Sequence, residues 1–183
     1  MKPDRASLDA AIPHILSAPK DKAPIEMLCN RPDFRERNFT DRLNATVEGG
    51  IENCRFLKAP WLTLEDGSGD PRIQVSILPR RTLDLVWSEN DDAPHPGDTF
   101  IVDMDLTEEN LPVGTRLQAG SAVLEVSDYW NNACTKWKVR YGSDALDWVR
   151  EPANIPLRLR GILCKIVKDG VIENGAKLTK IID

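Results

Sequence analysis

The sequence predicts a mainly β protein of the α+β kind, a closed or partly open β-barrel of short strands with a few peripheral helices. Three observations predict it. Short apolar runs recur along the chain, glycine-containing turns separate them, and strands do not alternate with helices in a βαβ rhythm. The length of 183 residues suits one domain with a small appendage. We divide the chain into a helical appendage and linker, residues 1–23, and a barrel domain, residues 24–183.

Residues 5–18 read as a helix. Ser7 is its expected cap, and Leu8, Ile12, Ile15 and Leu16 share one helical face. Pro13 falls inside the pattern and is expected to kink or split it. A polar, proline-flanked linker from Ala18 to Pro24 follows. Ile25 to Leu28 is a short strand candidate. The stretch after it is cationic, with Arg31, Arg35, Arg37 and Arg42 interleaved with Asp33, Glu36 and Asp41. Ile73 to Ile77 alternates as a half-buried strand does. Pro79 then suits a first helical position ahead of Leu83, Val86 and Trp87. Pro96-Gly97-Asp98 reads as a turn and Thr99 to Met104 as a strand.

Thr107 is placed to cap a short helical turn over 108–110. Gly120 divides two short strands over 113–126, and Ser143 is placed to cap a helix carrying Leu146 and Val149. Leu159 to Lys168 is the strongest strand. Asp169-Gly170 predicts a hairpin onto Val171-Ile172, and Asn174-Gly175 a turn before Leu178 to Ile182.

Composition narrows the function. Apolar residues make up 41% and charged residues 29%, which suits a soluble protein with a core. The net charge of -5 leaves no global basic field, so a nucleic-acid partner is not expected. No apolar run approaches the ~20 residues of a membrane helix, and no membrane partner is expected. The start of the sequence has no signal-peptide core, so the expected location is cytoplasmic.

The four cysteines, Cys29, Cys54, Cys134 and Cys164, are separated by 25, 80 and 30 positions. That spacing forms no zinc ribbon, and a cytosolic chain keeps such thiols reduced. His14 and His95 have no metal-site partner near them in sequence. Cys134 is the leading site candidate. It follows a strand-like run, lies in a polar stretch, and precedes Lys136, Lys138 and Arg140, whose charges favour thiolate over thiol. A reactive thiol and an ordinary surface cysteine fit this spacing equally. Should the loop curl, Lys136 and the loop N–H groups suit an anion. Cys164, inside its strand, reads as core.

Arg31, Arg37, Arg55 and the pair Arg80-Arg81 form a second group, suited to phosphate if gathered and to solvated surface if not. Ser76, Asn110 and Thr135 sit at element ends, as ligand donors or as turn and cap residues. No phosphate-cradling glycine loop occurs.

Taken in order, these pieces resemble a MOSC domain, the module named after the C-terminal part of molybdenum cofactor sulfurase. The resemblance covers roughly residues 24–182. It is carried by Gln74-Val75-Ser76, by Asp103 through Gly114, and by the strand from Gly120 to Val126. The Cys134 segment, Tyr141-Gly142, Arg160-Gly161 and Gly170 continue it, and Arg31-Pro32 and Arg37 resemble the family's early arginines. One departure stands out. Where family members often carry Gly-apolar-Glu-Gly-Asp-Arg, this chain has Gly50-Ile51-Glu52-Asn53-Cys54-Arg55.

The resemblance implies a barrel that holds the molybdenum cofactor (molybdopterin), a pterin with metal-binding sulfurs and a phosphate tail. It implies Cys134 as the catalytic residue and metal ligand, a role that a soft thiolate suits. It implies Arg31, Arg55, Ser76, Asn110 and Lys136 as cofactor-binding residues. The implied function is reduction of N-hydroxylated small-molecule substrates. The sequence carries no flavin, haem or iron–sulfur motif, so a separate electron-donor protein is the implied partner. The alternative is a non-catalytic sulfur-carrier or cofactor-delivery module with a persulfide on Cys134.

Overall fold

A computed structural model describes residues 2–89 and 92–182. Helix α1 spans Arg5–Leu16 and is followed by strands β1 (Ala23–Glu26), β2 (Cys29–Asn30), β3 (Asn38–Phe39), β4 (Arg42–Thr46) and β5 (Gly50–Ile51). Then come β6 (Val75–Pro79), α2 (Arg80–Val86), β7 (Phe100–Val102), β8 (Arg116–Ala119) and β9 (Ala122–Val126). The chain ends with α3 (Thr135–Tyr141), α4 (Ser143–Arg150), β10 (Ile162–Lys168), β11 (Gly170–Glu173) and β12 (Lys177–Lys180).

Seven strands close a barrel in the order β1-β12-β8-β9-β10-β6-β7. Strand β1 completes it by pairing with β12 through Ala23 and Pro24 and with β7 through Ile25 and Glu26. Among the described residues, only the β6–β7 ladder of the barrel is parallel. The expected closed barrel with a few helices is the fold found.

Period-two alternation sorts the side chains. Val75, Ile77, Phe100, Val102, Leu124, Val126, Ile162, Cys164 and Ile166 point inward and are buried together. Leu78 and Ile101 point outward and are buried too, because α1, α2, α3 and α4 cover that wall. Leu8 and Ile15 of α1 lie in this second core beside Trp137, Tyr141 and Trp148. The N-terminal helix is therefore packed into the body of the molecule.

Local details depart from expectation. The cap of α1 is Asp4, whose Oδ1 accepts from the Ser7 N–H at 2.8 Å, so Ser7 is the capped residue. Pro13 sits inside a helix that runs unbroken to Leu16. No helix forms over 108–110; Thr107 Oγ1 accepts from the Asn110 N–H in a turn. Gly142, not Ser143, is the cap position of α4.

The Asp169-Gly170 hairpin does not form. A two-residue hairpin of this kind needs positive φ at both central residues, and neither has it. Strand β11 instead leaves the barrel and pairs with β4 in a separate sheet with β5. Asp169 Oδ1 accepts from the Val47 N–H at 2.7 Å and ties the turn of that sheet. The Asn174-Gly175 turn likewise joins strands of two different sheets.

Candidate functional site

Ser76 and Leu163 face each other across the β6–β10 ladder. Their sequence neighbours fill the barrel, so these two point outward, where Leu163 packs with Ile73 and Phe56. With Ile73 they form the floor of a cleft of about 520 Å³, a size typical of ligand sites. Its walls are residues 31–37, residues 55–61, Pro96 and Asp98, and the segment from Asn131 into α3. A more open depression of about 730 Å³, lined by Thr46, Val47, Glu48, Gly49, Leu57 and Asp169, holds neither thiol nor cation.

Cys134 lines the cleft and is exposed. It occupies the N-cap position of α3, after Ala133 in the left-handed region at φ 58°. Two donors from Arg150 fix the turn, to Asn132 O at 2.8 Å and to Ala133 O at 3.2 Å. The amide of Asn131 donates to Arg160 O at 3.2 Å. The sequence reading took this segment for a polar loop. The missed signal is Trp137 and Tyr141, four positions apart and both buried on one face of α3.

Seven cationic side chains line the same cleft, namely Arg31, Arg35, Arg37, Arg55, Lys136, Arg140 and Arg160, against three carboxylates, Asp33, Glu36 and Asp98. This concentration occurs in a chain of net charge -5. Among the described residues, only Arg160 of the seven has an ion pair within 4.0 Å, to Asp98. Burial and then the Arg140 charge lower the pKa of Arg37, and burial and then the Arg31 charge lower that of Arg55. The guanidiniums thus crowd one another, an arrangement that an incoming anion relieves. Arg55 stacks on Phe34 at 4.4 Å and Lys136 approaches the same ring at 5.8 Å.

The far wall is built around Asp98, which is 2% exposed. Its Oδ1 accepts from Arg160 Nη1 at 2.9 Å, while its Oδ2 is buried without a partner. The Nε atoms of Arg37 and Arg160 are also buried and unpartnered. Arg160 lies over the Trp137 ring at 4.5 Å. Tyr141 Oη donates to Pro94 O at 2.8 Å and ties this wall to α3.

Behind it, His95 is held edge-on against Phe39 and Trp87, at 5.1 and 4.9 Å. Its Nδ1 accepts from the Gly97 N–H at 3.0 Å. Burial pushes its pKa down to about 4, although the Asp98 charge pulls the other way. The ordinary value in an unfolded chain is about 6.5. As pH falls, the unfolded chain therefore takes up this proton first. The stability His95 provides is complete above that ordinary value and is lost progressively toward the folded one. We expect about 2 kcal/mol of extra destabilisation between pH 7 and pH 5. In urea melts at the two pH values, His95→Gln should lack that increment, and an unchanged pH dependence would refute the assignment.

Of the residues expected from sequence, Cys134, Arg31, Arg55, Ser76 and Lys136 line this one cleft, as do Thr135 and Arg37. The Ser76 hydroxyl accepts from the Thr99 N–H at 3.2 Å. Asn110 stands apart and is not among the lining residues. Its amide donates to Lys20 O and Asp105 O and its Oδ1 accepts from Lys180 Nζ, so it pins the linker to the barrel end. Arg80 and Arg81 also lie elsewhere, paired with Glu26 and Asp84 and with Asp103.

Burial pushes the Cys164 thiol up to about 12 and that of Cys29 to about 11, so both are inert packing groups. Cys54 is half-buried against the barrel core. Asn53, where the related pattern carries glycine, adopts φ 56°, a conformation asparagine tolerates better than most residues. Arg140, which the sequence names only as a cation near Cys134, and Arg160, named only in the resemblance, are cleft residues, as is Asp98, which reads in the sequence as part of a turn.

The barrel has the MOSC-domain fold. No family model matches the sequence, and no curated protein matches it. Solved structures do match. One, known only as a hypothetical protein, superposes with a TM-score of 0.61 at 19% identity, over 88% of this chain and 67% of its own. YiiM from Escherichia coli matches at 0.58 and 19% identity, over 88% of this chain and 70% of its own. The YuaD protein from Bacillus subtilis matches at 0.58 and 20%, over 86% of this chain and 94% of its own. YiiM and YuaD are MOSC-domain proteins, and at these identities the likeness establishes the shared fold. No helix among the described residues is long and apolar enough to cross a membrane.

Proposed function

We propose that the cleft binds the molybdenum cofactor, with Cys134 as its thiolate ligand, and that the protein reduces N-hydroxylated compounds there. One observation carries the reading. The exposed Cys134 thiol and seven cations converge on a single cleft in an otherwise acidic chain. The MOSC-type fold supports it.

The residues present fit the group. Among the described residues no cluster of His, Cys, Asp and Glu holds a metal by itself. A metal that arrives within its own sulfur-bearing organic ligand needs only one protein thiolate. Arg31, Arg37, Arg55 and Arg140 would hold the phosphate tail through charge-assisted hydrogen bonds. The unpartnered Nε atoms of Arg37 and Arg160 are donors ready for the polar edges of the ligand. When bound, the cofactor supplies a two-electron reduction in which N–OH becomes N–H, two protons are taken up and water leaves. A separate redox protein supplies the electrons.

The test is expression in a host with cofactor synthesis intact. Purified protein should carry molybdenum at near one equivalent and consume an N-hydroxylated base when given reductant. Molybdenum-free protein that leaves the base intact would overturn the reading.

A further inference from the structure

Asp98 is out of place in a cleft built for anions. A carboxylate held on the wall opposes a simple polyanion, and its pairing with Arg160 uses only one of its two oxygens. Yet its position is fixed by a partner that is itself held. Arg160 holds Oδ1 at 2.9 Å, and Arg160 is itself only 15% exposed and rests on Trp137. Asp98 is 2% exposed and lines the cleft, and its Oδ2 is buried and unpaired. A buried acceptor without a donor is a cost that a bound donor removes. The rim adds a second constraint. Phe34 and Trp61 line the cleft with 59% and 54% of their surface exposed, and although Arg55 lies over the Phe34 ring, they offer apolar ring surface to a ligand ring.

We propose that Asp98 is a ligand-binding residue of the cleft, its Oδ2 accepting a hydrogen bond from an N–H group on a flat heterocycle whose anionic tail lies among the arginines. This rests on the reading of the cleft as an anion-binding ligand site and narrows it. The cleft selects a ring that carries an amino or amide N–H together with a phosphate or carboxylate, and rejects anions that lack the donor. Arg160 Nε, buried and unpartnered beside the same carboxylate, suits a neighbouring acceptor on the ring edge.

The experiment is calorimetric titration of the full chain, purified from a host that does not make the cofactor. The probes are adenosine monophosphate, purine riboside monophosphate, whose ring has no N–H at all, and pyrophosphate. The two nucleotides differ only by an exocyclic amine. Wild-type protein should bind the adenosine nucleotide at least about tenfold more tightly than the purine riboside one. Asp98→Asn presents an N–H in place of Oδ2, and the two affinities should fall within about twofold. Pyrophosphate should bind both proteins, and the variant at least as tightly, since a negative charge is gone.

Equal nucleotide affinities in the wild type overturn the role of Asp98, a comparison that needs no folded variant. So does pyrophosphate binding with neither nucleotide bound, and the cleft reading then stands alone. Failure of all three probes sinks the cleft reading itself.

Discussion

Cys134→Ser protein, made in a host that assembles the molybdenum cofactor, will emerge without metal and without activity on N-hydroxylated bases. The substitution keeps side-chain size but replaces a soft sulfur with a hard oxygen that stays protonated at neutral pH, and a sulfur-rich metal centre selects against it. The fold should not suffer. Cys134 makes no side-chain cap to α3, and serine is among the preferred N-cap residues, so the melting temperature should hold or rise. Elemental analysis beside a thermal melt therefore separates lost ligation from lost structure. Full metal retention by the variant would sink the ligand assignment. Wild-type protein that holds no molybdenum but carries one added sulfur atom on Cys134, seen by mass spectrometry without reductant, would instead support the sulfur-carrier alternative.

Gly161→Ala should be the most damaging single-methyl change in the barrel, costing more than about 3 kcal/mol. Gly161 has φ 84°, and a Cβ there would sit 1.9 Å from Ile77 O. Left-handed strain alone costs roughly 1–2 kcal/mol. The clash adds to it because the obstacle is β-sheet backbone that cannot rotate away. The residue also joins Arg160 to β10, so any local shift moves the guanidinium that holds Asp98. We expect the melting temperature to fall by about 6–12 °C and anion affinity to drop with it. A melting temperature within a degree or so of wild type would show that the strand entry is more pliable than its geometry implies.

The sequence was informative where the period of burial is short and local. Alternation around Ser76 places that hydroxyl on the face opposite Val75 and Ile77, and the barrel keeps it there. Leu159 to Lys168 read as the strongest strand and supplies β10, which makes two long ladders. Where the reading failed, the deciding interaction lies far along the chain. Asp169-Gly170 has the composition of a hairpin turn, but its partners are Val47 and the Ala45 end of β4, more than 120 positions away. Asn110 has the chemistry of a ligand donor, but Lys20 and Lys180 claim it from opposite ends of the sequence. Convergence of arginines 31, 55, 140 and 160 on one cleft has no local signature at all. Nor does Asp98, whose second oxygen is buried without a hydrogen-bond donor.

Closure of the barrel has a consequence for biosynthesis. The stave that seals it, β1, is held by residues 177 and 178 on one side and by residues 101 and 102 on the other. A nascent chain emerging from the ribosome has made most of its hydrophobic wall long before the last stave is translated. Until then β1 and β8 are open sheet edges, the kind of surface that recruits other chains. Synthesis, rather than the finished barrel, is thus the stage at which these edges are open to other chains.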